Sequence, residues 1–405
     1  MFARIPLYAP MKLRFTGRRL FVAGALVLIV LAFACSRYWR GHQFSSIIES
    51  CEAHVRTQLC LTNAIVAVAK ERGIDAGFDA LVAVYARDTA FAETCHAVTH
   101  TLGEMAYQSF KQHEQFALSA NTAFCGFGFY HGFMESLLFD TGDISEARRF
   151  CDYADQKMTE SFSGVSFACY HGIGHGVVDG SDESRWGNIE KFIEPGLKLC
   201  EQVGDNLEHK TRCASGVFNA LGIAYLTSKY KLPVNVNDPY AVCREQSLAY
   251  QQKACYDQMN SYIVPAVRDF AKAVSLASQT PNEYRAIAIG SVAGLEAKYA
   301  LARDSVEKDI GRCLSLPQGL QQTCTNGFAV GLIEFGKPGQ EFTASINACS
   351  KTGPMADACF HAISASASAR TSRTGQERVC ADIRAAGGER AGEDCRAFIS
   401  SGNPS

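Results

Sequence analysis

The chain has 405 residues, of which 47% are hydrophobic and 20% are charged, a composition that is typical of folded proteins and excludes general disorder. Its formal net charge is −2, from 39 Lys and Arg against 41 Asp and Glu, so no overall basic field attracts nucleic acid and we expect no nucleic-acid partner. The chain is unusually rich in cysteine and histidine, with 17 and 10 residues, and most of the predictions about its fold and function rest on the positions of these residues.

The amino terminus has the pattern of an export signal or a membrane anchor. Residues 1–19 carry five Arg and Lys and no acidic residue, and an uncharged apolar run follows from 20 to 34. Fifteen residues rise about 22 Å as a helix, which suits a signal-peptide core, while a slightly longer uncleaved segment would anchor the chain. We therefore predict a cytoplasmic basic segment at 1–19, a signal peptide or transmembrane anchor at 20–36, and an extracytoplasmic remainder, periplasmic or extracellular. Cys35 stands where a lipoprotein cysteine would, so lipidation is a further way to hold the chain at the membrane.

The sixteen cysteines after Cys35 predict disulfide bonds between neighbours along the chain. Their number is even in a chain expected to be exported, and the absence of any Cys-x-x-Cys motif argues against a zinc ribbon or a redox site. Sequential pairing gives Cys51–Cys60, Cys95–Cys125, Cys151–Cys169, Cys200–Cys213, Cys243–Cys255, Cys313–Cys324, Cys349–Cys359 and Cys380–Cys395.

The sequence around most of these pairs recurs. The first cysteine tends to close an apolar helical stretch, and the second opens another in which small residues stand three and seven positions later. Offsets of 0, 3 and 7 share one helix face, so small residues there let two helix backbones approach closely. From Cys125 onward the interval is near forty residues, except for a longer step in which 256–312 holds further helical segments. We predict an all-α chain of helical hairpins, each stapled by a disulfide bond.

This plan resembles tetratricopeptide and Sel1-like helical solenoids, including secreted forms with one disulfide per repeat. The resemblance covers the hairpin plan alone, because the consensus residues of those families are not matched, and no residue role is carried over. Along the chain we predict an N-terminal helical region at 37–90, a histidine-rich helical region at 91–180, and a helical repeat region at 181–405 that extends the scaffold or offers a surface to a protein partner.

Six of the ten histidines fall between residues 96 and 175, in segments that share one spacing. Residue types that ligate metals recur there four positions apart, which places their side chains on adjacent turns of one helix face. Two imidazoles so placed grip one ion, and a carboxylate one turn further on completes the set. The candidate metal ligands are His96, His100, Glu104, His131, Glu135, His171, His175 and Asp179.

Neutral imidazole and carboxylate ligands suit zinc, iron, manganese or copper. Five histidines and three carboxylates exceed what one ion needs, so a mononuclear and a dinuclear centre are both open. Glu104 or Glu135 is alternatively a base. If the centre is catalytic, we expect metal-activated water or oxygen chemistry on a small substrate; storage or transfer of the ion without turnover is the other reading.

The alternative function is a scaffold that binds a protein or an envelope polymer and whose histidines are structural. His131, His175 and Asn219 all stand six residues after their cysteine, so this register can hold a polar residue for packing reasons alone. Against this, Gly126 and Gly174 do not stand three or seven residues after a cysteine, so the close packing of helices does not explain them. Their lack of a side chain favours a buried site where larger residues would be crowded.

Overall fold

The computed structural model describes residues 49–51, 57–113, 118–158, 164–178, 180 and 182–401. In these ranges all regular structure is helical and no strand occurs, which confirms the all-α prediction. No helix within them combines the length and hydropathy needed to cross a bilayer. The segments predicted at 1–19 and 20–36, Cys35 and Asp179 lie outside the described residues. The chain divides into two units, Met1–Thr57 and Gln58–Ser405, and the second contains the candidate site.

The helices follow one another with short connections, several of which contain a 3-10 turn. In chain order they are α1 (Thr57–Arg72), α2 (Ile74–Arg87), α3 (Ala92–His113), α4 (Gly128–Thr141), α5 (Ile144–Met158), α6 (Val165–Gly176), α7 (Ile189–Cys200), α8 (Leu207–Tyr225), α9 (Ala241–Arg244), α10 (Ala249–Gln258), α11 (Asn260–Val267), α12 (Phe270–Ser278), α13 (Asn282–Ala302), α14 (Val306–Leu314), α15 (Gln318–Phe335), α16 (Glu341–Cys349), α17 (Ala356–Arg370), α18 (Arg373–Gly387) and α19 (Glu389–Ser400).

Disulfide bonds staple consecutive helices as the sequence predicts. In the seven bonds whose partners are given below, the cysteines are at most 2% exposed; six of these bonds link consecutive helices, and Cys95–Cys125 links α3 to the turn before α4. Cys51 and Cys60 are also disulfide-bonded, and their pairing with each other stays a prediction. The bonds seen between predicted neighbours are Cys95–Cys125, Cys151–Cys169, Cys200–Cys213, Cys243–Cys255, Cys313–Cys324, Cys349–Cys359 and Cys380–Cys395.

Six helices, which we call the inner row, form a closed arrangement in which the last helix packs on the first. The inner row consists of α3, α4, α6, α8, α10 and α13, each packed on the next, and α13 packs on α3 as well. The Tyr85 hydroxyl donates to the carbonyl of Phe335, so α2 is also joined to the end of α15. The helices are thus linked in chain order by disulfide bonds, but the inner row closes within the second unit, unlike the open solenoid suggested by the resemblance, and the repeat type stays a prediction.

Glycines set the close approach of the inner-row helices. A Cβ atom added to Gly132 would lie 2.0 Å from the carbonyl oxygen of His100, and one on Gly216 would lie 2.0 Å from that of His171. Gly174, which the sequence register left unexplained, has the same role, because its Cβ would lie 1.9 Å from the carbonyl oxygen of Cys213. Gly126 has φ +70° and belongs to a left-handed turn before α4.

Candidate metal centre

Three neighbouring helices bring the predicted histidines together. The glycine contacts pair Gly128 with His96 and Gly132 with His100, so α3 and α4 run in the same direction and in fixed register. The contacts of Gly172 with Tyr130 and of Gly176 with Met134 align α4 and α6 in the same way. The histidine-bearing faces of α3, α4 and α6 therefore lie side by side at one level of the inner row.

His131 of α4 stands at the middle of this cluster. Its ring centroid lies 5.0 Å from that of His96 and 5.6 Å from that of His100, both on α3. On the other side it lies 4.8 Å from His171 and 4.6 Å from His175, both on α6. Five imidazoles from three helices thus form one cluster with His131 at its centre.

The nitrogen and oxygen atoms of these side chains are spaced as potential metal ligands. Two donors 2.0–2.1 Å from one tetrahedral ion lie roughly 3.4 Å apart, so small ring movements bring atoms within 4.8 Å into one coordination sphere. Three overlapping sets have all their ligand atoms within 4.8 Å of one another: His96, His100 and His131; His131, His171 and His175; and His100, Glu135 and His175.

His96 presents one free nitrogen to the cluster. Its Nδ1 lies 2.8 Å from the carbonyl oxygen of Cys125, and because a carbonyl only accepts, Nδ1 carries the proton and Nε2 keeps a lone pair. Burial, together with the charges of His100 and Lys298, lowers the pKa of His96 to about 3. The ring is therefore neutral at physiological pH, which is the form that binds a metal.

His171 is fixed in the same tautomer by a serine. Its Nδ1 lies 2.7 Å from the hydroxyl of Ser215, and that hydroxyl donates its only proton to the carbonyl of Arg212 at 2.7 Å. The Nδ1–H of His171 must therefore donate to Ser215, which leaves Nε2 free. Burial, together with the charges of His175 and Arg212, holds the pKa of His171 well below its usual value.

Ser215 is a site residue that the sequence analysis missed. It stands two residues after Cys213, as His171 stands two residues after Cys169, so the same register on the next inner helix supplies the partner. The repeat could have indicated a polar contact between these positions, since the two helices touch at Gly174 and Gly216. It could not have indicated which ring nitrogen is engaged.

His175 is oriented by Glu135. The Nδ1 atom of His175 lies 3.3 Å from Oε1 of Glu135, and the Nδ1 atom of His100 lies 3.6 Å from Oε2 of the same carboxylate. Burial opposes ionisation of Glu135, but the hydrogen bond from His175 and the charges of His100 and His175 lower its pKa below the ordinary value. The carboxylate, imidazole and free Nε2 form the arrangement by which proteins orient metal-ligating histidines.

Two nitrogens of the cluster are buried without a hydrogen-bond partner. They are Nδ1 of His131 and Nε2 of His175, and both residues are only 6% exposed. An unsatisfied buried polar atom costs about 1–3 kcal/mol, so two such atoms in one cluster favour a ligand that pairs with them. A metal ion is one such ligand.

The remaining predicted ligands lie at the edge of the cluster or outside the described residues. Glu104 has a side chain that is 51% exposed, with Oε1 4.0 Å from Nδ1 of His100, and it belongs to none of the three sets. Asp179 is not among the described residues. His361 and His209 lie apart from the site, each packed against an aromatic ring, of Phe398 and Tyr170 respectively.

Comparison with known proteins assigns no family to this arrangement. No family model matches the chain, and neither a curated protein nor a solved structure matches it.

Proposed function

We propose that this chain is an exported, membrane-tethered helical protein that binds a transition-metal ion at an inner site formed by His96, His131, His171 and His175. The observation that carries the proposal is that three of these rings have Nδ1 engaged by an acceptor, so that Nε2 is left as a free ligand atom. His131, with a partnerless buried Nδ1, lies between them. Such a set is organised for a ligand before the ligand arrives.

The donor set favours borderline divalent ions. Imidazole ligands suit zinc, copper and iron, and the nearby carboxylate of Glu135 extends the choice to manganese. Neutral imidazoles leave the charge of the ion largely uncompensated, and a metal bound in this way acidifies a bound water and polarises oxygen-containing substrates. We therefore propose metal-dependent chemistry on a small substrate as the activity of this centre.

The second candidate is a scaffold that holds no metal, and one contact favours it. Asn219, at the register of His131 and His175, donates through Nδ2 to Oε1 of Gln258 on the next inner helix at 2.8 Å. A structural polar residue at this register therefore makes a hydrogen bond between helices. Nδ1 of His131 and Nε2 of His175 make none, which is why the metal centre is preferred.

Metal analysis of the full-length protein separates the two candidates. Protein stripped with a chelator is offered zinc, iron, manganese or copper separately, and bound metal is measured by mass spectrometry after desalting. We expect the wild type to retain at least one ion of a preferred metal and His131→Asn to retain none. The Asn variant matches the residue at the same register in α8, so the helix contacts are disturbed little.

The control is His361→Asn, because His361 stands two residues after Cys359 as His171 does after Cys169 and lies outside the cluster. It should bind metal like the wild type. A wild type that takes up none of the four metals, or a His131→Asn variant that binds as well as the wild type, would show that the histidines are structural. Circular dichroism of each variant confirms that it is folded.

Export and tethering are supported by the disulfide bonds, which suit an oxidising compartment. The proposed membrane contact is the segment at 20–36, and the proposed surface for a protein partner is that of the later hairpins at 181–405. Fractionation of cells that express the full chain, followed by thiol labelling, tests the compartment. Protein in the soluble cytoplasmic fraction with free cysteines would contradict export.

A further inference from the structure

The side of the cluster formed by His100, Glu104 and Glu135 faces solvent. The side chains of Glu104 and Glu135 are 51% and 37% exposed, that of His100 is 20% exposed, and that of His175 is 4% exposed. Exposure therefore falls in steps from a surface carboxylate to the buried imidazoles. An ion that enters from this side meets carboxylates before it meets the inner site.

The distribution of charge around the cluster also favours entry of a cation from the side of His100, Glu104 and Glu135. Lys298 of α13 acts electrostatically on His96, and Arg212 of α8 acts on His171, so cationic groups stand toward those two rings. The carboxylates of Glu104 and Glu135 stand toward His100 and His175. A divalent cation is thus attracted on the carboxylate side, whereas the two cationic groups have carboxylates of their own nearby, Glu208 beside Arg212 and Glu93 and Glu334 near Lys298.

The distances on this side fit a cation better than they fit hydrogen bonds. Nδ1 of His100 lies 3.6 Å from Oε2 of Glu135 and 4.0 Å from Oε1 of Glu104, which is beyond normal hydrogen-bond length. Two donors that each lie about 2.0–2.2 Å from a shared ion are separated by roughly 3–4.2 Å. The imidazole of His100 and the carboxylate of Glu135 suit zinc, manganese or ferrous iron, whereas Glu104 lies in none of the three sets of converging ligand atoms.

We propose that His100 and Glu135, which form one of the three sets together with His175, make a second, outer cation site through which the ion is loaded into the inner site, and that Glu104 draws the ion toward it. This inference rests on the proposed function. Glu135 connects the two sites, because one of its oxygens faces His100 and the other faces His175. The outer site is the weaker of the two, since it offers two ligand side chains where the inner site offers four.

The rate of zinc uptake tests this proposal. Metal-free full-length protein is mixed with Zn²⁺ in a stopped-flow instrument, and a fluorescent zinc indicator reports the disappearance of free ion. We expect Glu104→Gln to slow uptake on the order of 3- to 10-fold while the ion bound at equilibrium remains, because a steering carboxylate acts on the association rate. Raising the salt concentration should reduce the difference from the wild type.

The matched control is Glu194→Gln, which removes a carboxylate of similar exposure, 48%, that pairs with Lys198 on α7. It should load at the wild-type rate. Equal rates for wild type and Glu104→Gln would overturn the outer site, and so would loss of the tightly bound ion in Glu104→Gln, because Glu104 would then belong to the inner site. A wild type that binds no zinc at equilibrium overturns the proposed function instead, which keeps the two failures distinguishable.

Discussion

Replacing Ser215 with Ala tests whether the hydrogen bonds around the cluster prepare His171 for a metal. The hydroxyl accepts the Nδ1–H of His171 at 2.7 Å and donates to the carbonyl of Arg212. Without it, the proton of His171 is no longer held on Nδ1 and can move to Nε2, the nitrogen that should bind the ion. Loss of such an outer partner typically lowers metal affinity 10- to 100-fold, which corresponds to about 1.4–2.7 kcal/mol.

The assay is a competition titration of metal-free protein against a chromophoric chelator of known zinc affinity. The control is Ser278→Ala, because the hydroxyl of Ser278 donates only to the carbonyl of Val274 in its own helix and lies away from the site. We expect Ser278→Ala to keep the wild-type affinity. A Ser215→Ala variant with unchanged zinc affinity would refute the assignment of Nε2 as the ligand atom of His171.

Three further changes probe the packing, the protonation and the stapling of the site. Gly132→Ala should destabilise the fold by several kcal/mol in urea titrations, because a Cβ 2.0 Å from a backbone oxygen forces α3 and α4 apart. The free energy of unfolding of the metal-free protein should fall as the pH falls from about 6.5 to about 3, because His96 takes up a proton in the unfolded chain but not in the folded one. His96→Gln should make the free energy of unfolding depend less steeply on pH. Replacing Cys95 and Cys125 with Ser should cost about 2–4 kcal/mol and lower metal affinity, because Cys125 carries the carbonyl that orients His96.

Each of these predictions has a control within the chain. Gly311→Ala, at a helical glycine with no atom within 4 Å of an added Cβ, should leave stability unchanged or raise it by up to about 1 kcal/mol. A His361→Gln variant should keep the wild-type pH slope. Replacing Cys349 and Cys359 should cost a similar free energy without an effect on metal affinity. Equal metal affinities for the two cysteine variants would contradict the role given to the Cys125 carbonyl.

The parts of the fold that depend on local spacing could be predicted from the sequence. A cysteine followed by small residues three and seven positions later defines one helix face, and Gly132 and Gly176 lie on that face in contact with the neighbouring backbone. The histidines share this periodicity, so once the hairpins pack in order their rings meet. His131 lies among four other histidines as expected, while the role of these residues as metal ligands stays a prediction.

Features that depend on distant contacts could not be predicted. The packing of α13 on α3 joins segments almost two hundred residues apart, and no spacing in the sequence indicates it. Glu135 differs from Glu104 in being less exposed and in reaching His175 as well as His100, whereas in the sequence both residues look alike as carboxylates one turn after a histidine. The repeat places Ser215 at the register of His171, but nothing in the sequence indicates which ring nitrogen its hydroxyl engages.

The closure of the inner row has a consequence for the order in which the protein matures. α3 carries His96 and is among the first helices to be synthesised, whereas α13, whose Lys298 acts on that ring, emerges far later. Contacts between such distant segments form slowly, because a long stretch of chain must be confined before they add any free energy. The nascent amino-terminal half therefore has its imidazoles before α13 packs beside them, and the surroundings of the proposed metal site are complete only in the finished chain.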